Sequence, residues 1–189
     1  LNRSVLESIF EANSECQVLN HYGPTETTIG KLLYPVTEPS TYPKTVPIGK
    51  PFGNNVIYVL SKSKDLCGIG IPGELYIGGD GLARGYLNNA NLSETKFIKN
   101  PFSTFPEIIY STGDLVKYLE SGDVEYISRI DEQVKIRGYR VELGEIESVL
   151  IDFSSIKQAV VLAQEDKSES KKQKFSEDSR LSVPTDEHF

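Results

Sequence analysis

The sequence predicts an α/β fold, on three observations. Apolar residues recur at helical spacing near the start, short β-branched and aromatic runs then alternate with Gly- and Pro-rich connections, and a second helical pattern follows a hairpin. Over residues 2–12, Val5, Ile9 and Ala12 fall on one helical face beside Leu6 and Phe10, and residues 17–20 follow as a short strand. A helix feeding a strand marks an α/β layer. Residues 32–34, 55–60 and 74–77 read as further strands, divided by the connections at 47–51 and 67–73, which predicts a compact, largely antiparallel β subdomain. Residues 78–87, GGDGLARGYL, lack GxGxxG spacing and no Gly-Lys-Ser/Thr follows, so they read as a structural turn between strand and helix. Residues 91–97 form a short helix that Asn100-Pro101-Phe102 ends. Residues 114–120 and 124–128 alternate about Ser121-Gly122, a hairpin signal. With Ser121-Gly122 as a two-residue turn, Glu120 faces Asp123, Leu119 faces Val124 and Asp114 faces Arg129. Residues 133–137 read as a strand and 156–163 as another. Between them, 142–153 form a helix with Leu143, Ile146, Val149, Leu150 and Phe153 on one side and Glu142, Glu145 and Glu147 near its positive end.

Length and charge narrow the class. A chain of 189 residues can bury one core, or one core and part of a second. Its 38% hydrophobic and 10% aromatic content is ordinary for a globular protein, and a net charge of −7 disfavours a nucleic-acid partner. Cys16 and Cys67 stand alone, with only His21 and His188 to join them, so neither a disulfide framework nor a zinc site is supported. No apolar run approaches the roughly 20 residues a bilayer needs, and the N-terminus has no basic stretch leading into an apolar h-region, so no membrane partner is expected and a cytoplasmic location fits best. The chain has no methionine and begins at Leu1, which reads as a piece of a longer polypeptide.

Two places carry chemistry. Asp114 and Arg129 meet across the hairpin, one accepting from hydroxyls and the other offering a planar fork of donors to an oxyanion; the same pair also reads as a cross-strand ion pair. In the run 20–28, NHYGPTETT, Pro24 keeps Gly23 extended and turns the chain, presenting Tyr22, Thr25 and Glu26 at a strand end. Tyr22 supplies a flat face for a purine, Thr25 a hydroxyl for phosphate and Glu26 an oxygen ligand for Mg²⁺. The alternative reading makes Thr25-Glu26 an ordinary helix start with a capping hydroxyl.

These residues lie in longer motifs. NHYGPTE, GELYIGGDGLARGYL at 73–87, YSTGD at 110–114 and RIDEQVKIRGYRVELGEIE at 129–147 resemble core motifs of the adenylation domains of nonribosomal peptide synthetases. That group lies within the adenylate-forming, AMP-binding enzymes, with acyl-coenzyme A synthetases and luciferases. The resemblance spans roughly residues 15–163. It implies an α/β architecture in which residues 1–130 are the C-terminal part of a large AMP-binding domain, a β-rich subdomain with helices. Residues 131–164 begin a small, mobile α+β C-terminal domain, and 165–189 are a disordered or non-native tail. It also implies the reaction: an amino acid and ATP give an aminoacyl-adenylate and pyrophosphate, and the acyl group passes to the thiol of a phosphopantetheinyl carrier protein domain, with ATP and Mg²⁺ as cofactors. By resemblance Tyr22, Gly23, Thr25, Asp114 and Arg129 bind the nucleotide, with Asp114 on the ribose hydroxyls. Thr25, Glu26 and Arg129 serve catalysis, Glu26 as the metal ligand. His21, Ile29 and Gly30 line the tail of the acyl pocket, and Asp131 is the hinge of the small domain. GELxIGGxGxARGYL is largely architectural. From Gln164 onward the resemblance fails: the lysine that contacts the reacting groups has no counterpart among Lys167, Lys171, Lys172 or Lys174. The alternatives are an acyl-coenzyme A synthetase-like ligase and a noncatalytic truncated remnant, and the expectation for this stretch alone is inactivity.

Overall fold

The computed structural model describes residues 3–38, 41–42, 45–131, 133–136 and 139–164; the expected tail at 165–189 lies outside the described residues. The chain divides into two compact units, Leu1–Gln133 and Val134–Phe189.

The first unit opens with helix α1, Arg3–Ala12, whose apolar stripe buries Leu6 completely against Tyr42 and Val46, with Phe10, Val18, Tyr34 and Val36 packed around them. Under it lies an antiparallel three-stranded sheet of β1, Val18–Tyr22, β2, Leu32–Val36, and β3, Lys50–Pro51, in that order. A second sheet holds β4, Asn55–Leu60, β5, Gly73–Gly79, β6, Phe97–Lys99, β7, Ile108–Tyr118, and β8, Val124–Arg129. Its order is β4-β5-β7-β6 with β8 also paired to β7, and all pairings are antiparallel, as the alternating runs imply. Helix α2, Ala90–Lys96, begins where the Asn89 side chain caps the Leu92 N–H at 3.1 Å. Leu32 and Ile48 from the first sheet's side meet Val59, Leu75, Ile77, Val116 and Val124 in one buried core, and each such residue contributes about 1.5–3 kcal/mol by leaving water.

The central hairpin differs from the expected one in an instructive way. The tip is a three-residue loop, not the two-residue turn Ser121-Gly122: Leu119 donates to Asp123 O at 2.8 Å, and Gly122 sits at φ 79. Tyr118 therefore faces Val124, one residue out of step with the simple count. A bulge between Leu115 and Val116 resets the ladder, so that Asp114 does face Arg129. Backbone bonds from Ile48 N to Val124 O and from Val124 N to Gly49 O, both 2.8 Å, tie the hairpin to the first sheet.

Residues 134–164 belong to the second unit. Strands β9, Val134–Ile136, and β10, Tyr139–Val141, pair antiparallel, and helix α3 runs over Leu143–Ile151, shorter at both ends than the periodicity suggests. Of its apolar stripe only Leu143 is buried, while Ile146, Val149 and Phe153 are exposed. The strand expected at 156–163 is not formed: among the described residues the segment pairs with no strand, and Val160 and Leu162 are exposed. A strand needs a neighbour to satisfy its backbone; here Ile156 N donates back to Phe153 O at 2.9 Å and Val161 N to the Glu147 carboxylate at 2.9 Å.

Candidate functional site

The GPTE turn is shaped by close backbone approach. A Cβ on Gly23 would lie 1.6 Å from the Ile29 carbonyl oxygen, so only glycine lets the 23–30 loop close on itself. Residues Thr25–Thr27 form a single 3-10 turn after Pro24. The expected cap by the Thr25 hydroxyl is absent; instead Thr27 Oγ1 donates to Pro24 O at 3.0 Å, leaving Thr25 exposed. Thr28 and Ile29 follow in the left-handed region at φ 63 and 65, a strained conformation for two β-branched residues that costs of order 1–3 kcal/mol each. Nothing in the sequence signals it.

What holds the strain is the glycine-rich segment. Thr28 Oγ1 donates to Gly81 O at 2.7 Å, Ala83 N donates to Glu26 O at 2.7 Å, and the buried Lys31 Nζ donates to Asp80 O and to Asn55 Oδ1, the latter at 2.8 Å. The GGDGLARGYL run is thus a strap across the GPTE loop, an architectural part, as expected. Burial lowers the Lys31 pKa, partly opposed by Asp80.

Tyr22 ends β1 and reaches the centre of the second sheet, where its hydroxyl donates to Asp114 Oδ2 across 92 residues of sequence. Burial, then the Asp114 charge, pushes the Tyr22 phenol well above its ordinary range, so it stays a donor. Asp114 Oδ1 accepts from Arg129 Nη1 at 2.9 Å, and the same nitrogen donates to Thr112 O at 2.9 Å. The other edge of the guanidinium is taken by Asp131, with Nε to Oδ1 at 2.8 Å and Nη2 to Oδ2 at 2.5 Å. Burial works against the Arg129 charge, but the Asp131 and Asp114 carboxylates outweigh it and raise its pKa; Arg129 in turn overcomes burial and lowers that of Asp131. These four hydrogen bonds use four of the five guanidinium donors, so the fork expected to face an oxyanion here faces Asp131. The Asp114 carboxylate keeps acceptor capacity: about four lone-pair sites against two donors.

Gly113 completes this geometry. It sits at φ 74, and a Cβ there would lie 2.7 Å from Asp131 Oδ2 and 2.9 Å from Arg129 Nη2. Thr112 Oγ1 donates to Leu75 O at 2.8 Å and accepts from Asp114 N at 3.0 Å, fixing the aspartate backbone.

Glu26 takes part in a second group of contacts. It is buried, and Oε1 accepts from Tyr86 Oη at 2.7 Å, whose oxygen lies 3.2 Å from Tyr110 Oη. Burial and these partners raise the Tyr86 pKa, keeping it a donor to Glu26. Among the described residues no three His, Cys, Asp or Glu side chains converge as a metal cage. The Glu26 carboxylate is of the donor type that suits Mg²⁺, which takes one or two carboxylates plus substrate phosphates and water.

His21 stacks on Phe52 with ring centroids 5.3 Å apart, and Gly30 lies flat against it: a Cβ would come 1.9 Å from His21 Cε1. Ile29 is 74% exposed, so it lines a surface and does not pack in the core. The structure therefore joins Tyr22, Asp114, Arg129 and Asp131 in one network, and His21 with Gly30 in another. Tyr86 and Lys31 are the contacting residues that sequence reasoning missed, since each acts through partners far away in the chain. No helix among the described residues is long and apolar enough to cross a membrane.

The chain matches the AMP-binding enzyme family over residues 1–87. It is 47% identical over 161 residues to tyrocidine synthase 3 of Brevibacillus parabrevis, a match that covers 85% of this chain and 2% of that protein. Among solved structures it is similar to an NRPS protein containing adenylation and PCP domains, at TM-score 0.77 and 29% identity, covering 88% of this chain and 34% of that one. It is also similar to the Vibrio cholerae adenylation domain AlmE in complex with glycyl-adenosine-5′-phosphate, at TM-score 0.73 and 30% identity over 84% of this chain and 30% of that one. The chain thus spans only a small part of its relatives' length.

Proposed function

We propose, for a chain that belongs to the AMP-binding enzyme family as a segment of a nonribosomal peptide synthetase adenylation domain, that it supplies the nucleotide floor of an amino-acid-activating ligase. The reaction joins an amino acid to ATP, releases pyrophosphate, and passes the aminoacyl group to the thiol of a phosphopantetheinyl carrier protein domain in the cytoplasm. The observation that supports this best is the Tyr22–Asp114–Arg129 network, where two distant motifs meet in one hydrogen-bonded cluster.

Each residue then has a task. Tyr22, its hydroxyl anchored on Asp114, holds its ring at a fixed tilt for the purine, and Gly23 lets the loop backbone come close. Asp114 uses its remaining acceptor sites on the ribose hydroxyls. Thr25, exposed at the 3-10 turn, offers its hydroxyl to phosphate. Glu26 would hold Mg²⁺ arriving with ATP, and the ion, when bound, offsets phosphate charge. His21, Ile29 and Gly30 form the accessible end of the amino-acid pocket. Arg129 turns its fork towards the nucleotide when Asp131, the hinge, releases it. The chemistry rests on placement and charge neutralisation and needs no nucleophilic side chain.

The test is Asp114→Ala in an intact adenylation domain carrying this segment. Affinity for ATP is expected to fall by about 1.5–3 kcal/mol, the range for hydrogen bonds to a charged group. Unchanged affinity in calorimetry would refute the ribose role.

A further inference from the structure

We infer that Glu74 is a positioning residue for nucleotide recognition, acting through Ser111 and Gly113 to set where the Asp114 carboxylate stands. This rests on the ribose-binding reading of Asp114. Glu74 lies in β5 opposite Leu115, and the ladder between β5 and β7 shifts register between Glu74 and Tyr76. That irregularity brings the Glu74 carboxylate beside residues 111–113 of β7. Oε1 accepts from Ser111 Oγ and from Gly113 N, the latter at 3.1 Å. Oε2 accepts from Tyr76 Oη at 2.7 Å and lies 3.7 Å from Lys64 Nζ. Lys64 in turn donates to Tyr76 Oη and sits over the Tyr76 ring, 4.6 Å from its centroid.

Packing alone does not call for a charge here. The Glu74 side chain is only 18% exposed, and a buried charge costs desolvation that an apolar residue of similar volume avoids. What a carboxylate adds is a strong acceptor for two donors on the stretch of β7 that leads directly into Asp114. Gly113 at φ 74 directs its N–H onto that oxygen while its carbonyl accepts from Ile130 N at 2.8 Å. Glu74 therefore grips one end of the Gly113 peptide pair and Ile130, just past β8, grips the other. Asp114 is held between Thr112 below and this clamped glycine before it. Burial works to raise the Glu74 pKa, but Ser111, Tyr76, Gly113 and Lys64 together overcome it and lower that pKa, so the acceptor stays ionised.

The experiment compares ATP with 2′,3′-dideoxy-ATP in the intact adenylation domain, using Glu74→Ala, Glu74→Gln and Asp114→Ala. Glu74→Ala is expected to raise KM for ATP about tenfold with kcat nearly unchanged, the loss expected from one or two weakened hydrogen bonds, and to leave KM for the dideoxy nucleotide within about twofold. Glu74→Gln, whose carbonyl oxygen still accepts from Gly113 N, is expected to recover most of the ATP affinity. Equal losses on both nucleotides, or a Gln variant no better than Ala, would show a merely structural role and overturn the inference. If Asp114→Ala itself fails to distinguish the two nucleotides, the ribose reading falls and this inference with it. If Asp114→Ala is selective for ATP and Glu74→Ala is not, only the role of Glu74 falls.

Discussion

Replacing Gly113 by alanine probes how tightly backbone conformation and site charge are joined. At φ 74 any residue with a Cβ enters the left-handed region at about 1–2 kcal/mol. The added methyl would also stand 2.7 Å from Asp131 Oδ2 and 2.9 Å from Arg129 Nη2, closer than a carbon is tolerated, so the guanidinium must move. Moving it loosens the pair with Asp131, worth only about 0.5–1 kcal/mol because that carboxylate is 38% exposed. It also loosens the bonds to Thr112 O and the buried Asp114, worth about another 1 kcal/mol. The expected total is about 2–4 kcal/mol. Gly122→Ala is the control: φ is 79, but the nearest atoms to its Cβ are the flexible Lys50 Cε and Nζ at 3.6 and 3.7 Å, so only the conformational cost of about 1–2 kcal/mol applies. Urea titration followed by tyrosine fluorescence measures both, since the chain has no tryptophan and 10 tyrosines. If the two variants lose the same stability within about 0.5 kcal/mol, the crowding argument is wrong.

Glu26→Gln in an intact domain is expected to raise the Mg²⁺ concentration needed for half-maximal rate; a lower rate at an unchanged Mg²⁺ requirement would remove Glu26 as the metal ligand. Asp131→Pro should fix φ near −65° and impair adenylate formation and thioester transfer unequally, while Asp131→Asn, which frees Arg129 without restricting the backbone, separates the hinge from the ion pair. Equal loss of both half-reactions in the proline variant would place the hinge elsewhere. The Glu74 pKa is lowered in the folded state, so its contribution is present above its ordinary value of 4.5 and is lost as pH falls through the folded value; Glu74→Gln should flatten this acid limb, and an identical limb in both proteins would contradict it. The 189-residue chain alone is expected to give no amino-acid-dependent exchange of labelled pyrophosphate into ATP. Exchange above a no-enzyme blank that Asp114→Ala abolishes would show a working enzyme.

Local pattern carried much of this fold. The first helix, the strands at 55–60 and 74–77 and the α2 helix follow from periodicity and Gly/Pro punctuation, because each satisfies its backbone with near neighbours or an obvious partner run. The Asp114–Arg129 pairing was legible, but for an incomplete reason: the simple count omitted both the extra tip residue and the bulge that offsets it. Glu74, Lys31 and Tyr86 were not legible as site parts, since their partners lie 37, 49 and 60 residues away and no spacing rule links them. The strained Thr28 and Ile29 were equally hidden, because their φ values are imposed by the strap and not by their own preference. The strand expected at 156–163 had sound propensity and no partner among the described residues, which shows why propensity for a strand is only half a prediction.

The bulge at Leu115 and Val116 has a consequence for how this hairpin tolerates change. It divides one ribbon into two segments with separate registers, one running to the solvent-exposed tip and one ending at Asp114 and Arg129. A residue gained or lost at 120–122 is taken up in the exposed tip, because buried Val116 and Val124, the latter bonded to Ile48 and Gly49, hold the outer segment in register, much as an anchored rail keeps movement at its free end from reaching the points. The tip is therefore a suitable place to insert a fluorophore-bearing loop that reports on the hairpin while Asp114 and Arg129 stay in register.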